Sequence, residues 1–121
     1  MYHDLVVYKK AYQLALEIHS ESLGFPKYEQ YGGMADQLRR SSKSVVANLV
    51  EASSYSTDYP RREFSQIIQS IGSKDETVLW LKLSKDLAYM KNTDDYIERY
   101  EEIGRMLYGL KESRKHGREN L

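Results

Sequence analysis

Apolar residues recur every three or four positions along four long segments of this 121-residue chain. That spacing is the period of an α-helix with one buried face. We therefore predict helices at about residues 4–22, 34–54, 60–90 and 92–113. Only 2 prolines and 7 glycines are available to interrupt them. Four helices with short links pack as an antiparallel up-down bundle, so the sequence predicts an all-α fold with a single domain over residues 1–113.

Residues suited to helix ends occur at the breaks between these segments. Asp, Asn and Thr side chains accept hydrogen bonds from the first free amides of a helix, whereas Gly and Pro favour its end. The predicted N-terminal caps are Asp4 for the first helix, Thr57 or Asp58 for the third and Asn92 for the fourth, and Pro60 is predicted in the first turn of the third. Gly24 and Pro26 are predicted to end the first helix, and Gly32 and Gly33 to precede the second.

The apolar face of the first segment is wider than one bundle core requires. Two adjacent apolar stripes together span about 200°, against the roughly 100° of an ordinary surface helix. This excess of apolar surface predicts that copies of the chain associate. The two stripes are Val7, Ala11, Leu14 and Ile18, and beside them Leu5, Tyr12 and Leu16. The predicted core face of the third segment is Phe64, Ile67, Ile68, Ile71, Val78 and Leu79.

Composition and motifs argue against several classes of function. The chain has no cysteine, which excludes disulfide scaffolds, thiolate metal sites and cysteine nucleophiles. Its histidines are not spaced as a metal site or catalytic dyad, and no phosphate-binding or nucleophile motif is present. We predict a protein that is not an enzyme and that uses no cofactor, metal or small-molecule substrate. A charged content of 30% argues against a bilayer span, and the first residues lack a signal-peptide pattern, so we expect a cytoplasmic protein without a membrane partner.

The zero net charge conceals a local excess of positive charge in the middle of the chain. Clustered Lys and Arg side chains attract phosphate groups, so the basic residues there are candidates for contact with RNA or DNA. The alternative is an ordinary mixed surface. The candidates are Arg39, Arg40, Lys43, Arg61 and Arg62. Residues 114–121 are also mainly basic and are predicted to form a disordered tail.

Small and polar residues form a second stripe on each of the second and third helices. Small side chains let another helix approach, and buried polar groups need hydrogen-bond partners. We predict that these stripes face each other, or a neighbouring subunit, as a structural interface; a ligand site is the alternative. An ion pair from Arg40, or from adjacent Arg39, to Glu51 or Glu76 would fix the register. Gly72 in mid-helix predicts a close backbone contact. The stripe residues are Arg40, Ser44, Asn48, Glu51, Gly72, Ser73 and Glu76.

Several of these motifs, taken together, resemble a known family. They are Phe25-Pro26-x-x-Glu29, Gln37-Leu38-Arg39-Arg40-Ser41 and Ser44-Val45-x-x-Asn48-Leu49-x-Glu51, with Asp4-Leu5-x-Val7-x-x-x-Ala11 before them and Phe64, Gly72-Ser73 and Glu76 after. In this order they resemble the small proteins encoded in intervening sequences of bacterial 23S ribosomal RNA genes. The resemblance extends over residues 4–110.

The resemblance implies a four-helix bundle that assembles into a ring, typically a pentamer. It also implies likeness to the accessory protein of diversity-generating retroelements, which uses a basic pentameric surface to bind nucleic acid and a reverse transcriptase. This chain departs from that protein in being neutral overall. We therefore expect a non-enzymatic homo-oligomer that serves as a scaffold or adaptor contacting RNA or an RNA-associated protein. The alternative is a dedicated nucleic-acid-binding protein with its basic surface repeated around the oligomer.

Overall fold

A computed structural model describes residues 2–56 and 58–115 of the chain. Thr57, one of the two predicted caps of the third helix, lies outside them, as do residues 116–121 of the predicted tail. Four α-helices span Val6–Ser22 (α1), Met34–Tyr55 (α2), Pro60–Asp86 (α3) and Thr93–Ser113 (α4). Short 3-10 turns at Tyr2–Asp4 and Lys27–Glu29 precede α1 and α2.

Each helix packs against the next one along the chain, and α1 packs against α4 to close the bundle. The α2–α3 pair has the most extensive contact. No strand occurs in the part of the chain that the structure describes. The prediction of an all-α, antiparallel four-helix bundle is confirmed.

Helices α1, α3 and α4 begin without the predicted side-chain caps. Asp4 lies in the 3-10 turn, and the capping position of α1 is held by Leu5. Tyr59, rather than Asp58, precedes α3, where Pro60 is the first helical residue as predicted. Asn92 precedes α4 but makes no side-chain capping bond. These helix starts therefore depend on packing more than on local capping.

Helix α2 is capped instead by a carboxylate from the preceding 3-10 turn. Oε1 of Glu29 accepts a hydrogen bond from the Met34 amide at 2.9 Å, and its Oε2 accepts one from the Tyr89 hydroxyl at 2.8 Å. Both hydrogen bonds lower the pKa of Glu29, and the one from the Met34 amide has the larger effect. One side chain thus joins the start of α2 to the segment after α3.

Helix α3 ends at Asp86, four residues before the predicted Met90. The Ala88 amide bonds to the Lys85 carbonyl and the Tyr89 amide bonds to the Ser84 carbonyl, which is the pattern of a left-handed helix stop. Ala88 accordingly has φ of 60°. Glycine is the residue normally found in this conformation. Because the chain has alanine at this position, the sequence did not predict the early end of α3.

The predicted inner face of α3 is partly wrong. Ile67 and Val78 are buried, but Ile68 and Leu79 are 46% and 50% exposed, and Phe64 and Ile71 are half-buried. The side chains that α3 turns inward are mostly polar. The buried residues of α3 are Glu63, Ile67, Ser70, Lys74, Thr77, Val78, Leu81 and Ser84.

The other three helices supply most of the apolar core. Fully buried leucines and isoleucines from each of them belong to the same buried cluster as Tyr100 of α4. The largest fully buried apolar side chains outside α3 are Leu14, Ile18, Leu38, Val45, Leu49, Tyr100, Ile103 and Leu107. Across residues 2–56 and 58–115, the helices are all too polar or too short to cross a membrane.

Candidate interaction surfaces

The five candidate basic residues do not form one surface. Arg39, Arg40 and Lys43 lie in the first half of α2, whereas Arg61 and Arg62 lie in the first turn of α3. Since α3 begins beside the end of α2, a distance of about 20 Å along the helix axis separates the two groups. The five candidates are therefore divided between two places on the bundle, and each group has its own surroundings.

Arg39 is engaged within the fold. Its guanidinium donates to the Ser22 hydroxyl at 2.9 Å, to the side-chain oxygen of Gln30 at 3.1 Å and to the Gln30 carbonyl at 2.9 Å. Gln30 in turn donates to the Ser22 and Phe25 carbonyls at 2.8 and 3.1 Å. Arg39 thus holds the α1–α2 connection against α2, which leaves its charge poorly placed for an external phosphate.

Arg40 and Lys43 are exposed and interact with neighbours on the bundle surface. Arg40 Nε lies 3.4 Å from an oxygen of Asp36, one turn earlier in α2. Lys43 Nζ lies 3.1 Å from Nδ1 of His19 on α1. Within the described residues Arg40 therefore pairs with Asp36 and not with Glu51 or Glu76; its predicted pairing with either glutamate of a neighbouring subunit stays a prediction.

The small polar stripes of α2 and α3 meet directly. Ser44 and Ser73 hydroxyls lie 2.8 Å apart, and the Asn48 amide donates to Ser44 at 3.1 Å and more distantly to Ser73 at 3.4 Å. These bonds satisfy the polar groups between two closely packed helices.

The α2–α3 contact continues inward through hydroxyls that sequence reasoning missed. Ser70 donates to the Val45 carbonyl at 2.8 Å, and Thr77 donates to the Ser41 hydroxyl at 2.9 Å. The sequence does contain a pattern that indicates this contact, since Ser70, Thr77 and Ser84 recur every seven residues on one side of α3. Their small hydroxyl side chains mark a face that can be buried against another helix.

The remaining stripe residues lie on the outside of the bundle. Glu51, Gly72 and Glu76 are exposed, and Glu76 accepts a hydrogen bond from the Trp80 indole at 3.2 Å. Apart from its chain neighbours and the adjacent backbone of α3, a Cβ placed on Gly72 would meet no described atom within 4 Å. The close backbone contact predicted at Gly72 is therefore not made within residues 2–56 and 58–115, although glycine costs an exposed helix about 1 kcal/mol relative to alanine.

Arg62, which follows Arg61 in the first turn of α3, lies beside two tyrosines at the α2–α3 turn. The Arg62 guanidinium carbon is 5.1 Å from the ring centroid of Tyr59 and 5.7 Å from that of Tyr55. The two rings contact each other edge to face at 5.9 Å. Arg61, Arg62 and Tyr59 are exposed, so this group presents cations and an aromatic ring to solvent.

A buried carboxylate lies close to this turn, and nothing in the sequence indicated its burial. Glu63 is 2% exposed; it accepts hydrogen bonds from the Tyr2 hydroxyl and from Arg114 Nε, the latter at 2.9 Å. Burial and the adjacent carboxylate raise the pKa of Tyr2. The three residues join the start of the chain, α3 and the end of α4. Their enclosed geometry indicates a structural role.

Apolar side chains on α1 and α3 remain uncovered. On α1, Tyr12 and Leu16 are 51% and 52% exposed. They border a groove of about 490 Å³ between α1 and α2, which we call the α1–α2 groove. Its lining residues are Tyr12, Ala15, Leu16, His19, Lys43, Val46 and Ala47. On α3, Ile68 and Leu79 are exposed on the side opposite its buried face.

These features define the protein as a four-helix bundle with a polar α2–α3 contact and uncovered apolar residues on two helices. The chain belongs to the 23S rRNA-intervening sequence protein family, whose model matches residues 3–109. The resemblance seen in its sequence is thereby confirmed. No curated protein matches the chain.

A solved structure gives an independent view of the fold. It is the crystal structure of a protein of unknown function from the S23 ribosomal protein family of Bacteroides thetaiotaomicron. The two chains share 21% identity with a TM-score of 0.79, over 88% of this chain and 96% of the other. At that identity the likeness establishes the common fold.

Proposed function

We propose that this protein is a non-enzymatic homo-oligomer that serves as a cytoplasmic scaffold or adaptor contacting RNA or an RNA-associated protein. A pentamer is the assembly that its family resemblance implies. The observation that carries the proposal is the exposure of large apolar side chains on α1 and α3, each about half exposed at Tyr12, Leu16, Ile68 and Leu79.

The energetic argument rests on what these side chains gain by association. Full burial of a leucine or isoleucine is worth roughly 1.5–3 kcal/mol, so covering the exposed half of one contributes about 1 kcal/mol. Single exposed apolar residues are ordinary, but here they recur along two helices. Several such residues in one interface provide enough free energy to offset part of the entropy that association costs.

Light scattering coupled to size exclusion tests the proposal over a dilution series. We expect a mass that is a whole multiple of the 14.2 kDa of one chain, and five times that mass for a pentamer. Elemental analysis of the same sample is expected to show no stoichiometric metal. A well-folded species with the mass of a single chain at every concentration would contradict the homo-oligomer, because the apolar residues would then be stable in water.

The alternative function is direct binding of nucleic acid at the α2–α3 turn. The observation that favours it is the combination of Arg61, Arg62, Tyr55 and Tyr59, since cations contact phosphates while aromatic rings stack on unpaired bases. Binding of single-stranded RNA is then expected to weaken steeply with salt.

A double variant at the α2–α3 turn measures this alternative. R61A/R62A is expected to reduce the slope of log K against log salt by about 1 to 1.5 on single-stranded RNA, where each phosphate contact contributes about 0.7. Arg105→Ala, an exposed arginine on α4, is the matched control and should leave the slope unchanged. Equal slopes for the double variant and the wild type would exclude this turn as the binding site.

A further inference from the structure

The outer face of α3 carries a stripe that points away from the bundle interior. Ile68, Gly72, Asp75 and Leu79 are spaced by four, three and four residues, which places them on one side of the helix, opposite Ser70 and Thr77. Glu76 lies beside them. We call Ile68, Gly72, Asp75, Glu76 and Leu79 the outer stripe. It extends about 16 Å along the helix.

Gly72, at the middle of the outer stripe, leaves room for another helix to approach. Glycine weakens a helix interior and is retained where another backbone must come close. Apart from its chain neighbours and the adjacent backbone of α3, no described atom lies within 4 Å of the position of a Gly72 Cβ. The described residues supply no such backbone, so the surface at Gly72 is open to the backbone of a second molecule.

A surface suited to a helix exists elsewhere on the same molecule. The α1–α2 groove is lined mainly by apolar atoms. Ala15, Val46 and Ala47 line it with small or short side chains, and Leu16 adds a larger one at its edge. A groove between two adjacent helices is the surface into which side chains of a third helix insert.

The groove and the stripe carry opposite charges. Lys43 lies in the α1–α2 groove, and the outer stripe contains Asp75 and Glu76 between its apolar residues. Glu76 bonds to Trp80 and Asp75 pairs with Lys74, both on α3 itself. The two carboxylates are exposed and so can also face a cation on a second molecule.

We propose that the outer stripe of α3 in one copy packs into the α1–α2 groove of the next copy, with Asp75 and Glu76 facing Lys43. This inference rests on the proposed homo-oligomer and assigns its interface. The two surfaces differ, so the contact is head-to-tail and leaves one free stripe and one free groove on every pair. Successive copies then add until the ring closes.

Two single variants, each defective in one surface, test the head-to-tail geometry. Ala47→Glu places a carboxylate in the groove, and Leu79→Lys places a cation in the outer stripe. Both side chains are exposed, so circular dichroism should show unchanged helicity. Each variant alone is expected to have the mass of a single chain, 14.2 kDa. Mixed in equal amounts, they should form a species of twice that mass, because one supplies the intact stripe and the other the intact groove.

The results separate this inference from the proposed function. If the wild type is monomeric, the homo-oligomer fails and the interface fails with it. If the wild type is oligomeric but either variant keeps the wild-type mass, or the mixture stays monomeric, the oligomer stands and the assigned interface is overturned.

A pair of glycine variants gives a second test that does not introduce charge. Gly72→Leu and Gly109→Leu both replace an exposed helical glycine around which a Cβ meets no described atom within 4 Å. Each should make its helix more stable. Only Gly72→Leu is expected to lower the oligomer mass to that of one chain, since its side chain would separate the two copies. Equal masses for the two variants would overturn the proposal.

Discussion

Replacing Arg114 by alanine removes the cation that faces a carboxylate inside the protein. Glu63 is 2% exposed, whereas the side chain of Arg114 is 37% exposed, and Arg114 Nε lies 2.9 Å from Glu63 Oε2. Arg114 also lies over the Tyr2 ring, 5.8 Å from its centroid. After the replacement, the Tyr2 hydroxyl is still able to donate to the carboxylate.

The expected loss can be worked from this geometry. Breaking a fully buried ion pair costs about 3–5 kcal/mol, because the remaining charge has no compensation. Arg114 is partly exposed, so water can take its place, and one hydrogen bond to Glu63 persists. We therefore expect Arg114→Ala to lower the free energy of unfolding by about 2 kcal/mol. For 121 residues this corresponds to a fall in Tm of about 8 °C.

Urea unfolding followed by circular dichroism, at one fixed protein concentration, measures the effect. A double-mutant cycle with Glu63→Gln isolates the coupling, and the double variant should recover most of the loss because the buried group is then neutral. Lys115→Ala, which removes the next cation along the chain, is the control and should change stability by less than about 0.5 kcal/mol. A coupling energy below about 0.5 kcal/mol would refute the reasoning that Glu63 needs a compensating charge.

Three further predictions concern helix ends and one surface pair. Gly33→Ala should cost more than about 2 kcal/mol in urea unfolding, because its Cβ would lie 2.6 Å from the Glu29 Cα and 2.8 Å from the Glu29 carbonyl oxygen; a loss as small as that of an ordinary surface substitution would contradict the clash. Ala88→Gly should raise stability by about 0.5–1 kcal/mol, since it relieves a φ of 60°; a lower Tm would contradict this account of the end of α3. Bonding to Arg99 at 2.5 and 2.9 Å lowers the pKa of Glu17. The ion pair of Glu17 with Arg99 therefore stabilises the fold fully when the pH is above 4.5, the ordinary pKa of a glutamate. This stabilisation is lost as the pH falls through the lowered pKa. Glu17→Gln should cost up to about 1 kcal/mol at pH 7, and the difference in stability from the wild type should narrow as the pH falls below 4.5 and through the lowered pKa; a difference independent of pH would exclude the ion pair as its source.

The polar contact between α2 and α3 shows how far sequence reasoning reaches toward the candidate surfaces. The spacing of Ser44 and Asn48 on α2 and of Ser73 on α3 places small polar groups on one side of each helix, and the structure brings these together. The partners of Arg39 and Arg40 could not be derived in this way. A long side chain reaches several neighbours, and which one it meets depends on the rotation of its helix in the bundle.

The inner face of α3 was misread for a related reason. Apolar residues surround more than half of this helix, so periodicity alone permits several orientations. The hydroxyls of Ser70 and Thr77 donate hydrogen bonds to acceptors on α2. These bonds compensate for the loss of hydrogen bonds to water when the two hydroxyls are buried. Lys74 can also turn inward, because Gly104 on α4 has no Cβ, and a Cβ there would lie 2.8 Å from the lysine ammonium.

The number of helices, their approximate limits and the bundle itself were determined by the sequence, because a helical period and a few chain breaks are local properties of the chain. The tertiary structure decided which side of α3 faces the interior, how Glu63 is compensated and where the basic residues lie. These depend on contacts between residues far apart in sequence. The outward position of Ile68 and Leu79 is one such outcome: packing favoured small hydroxyl side chains against α2 and left larger apolar groups on the surface.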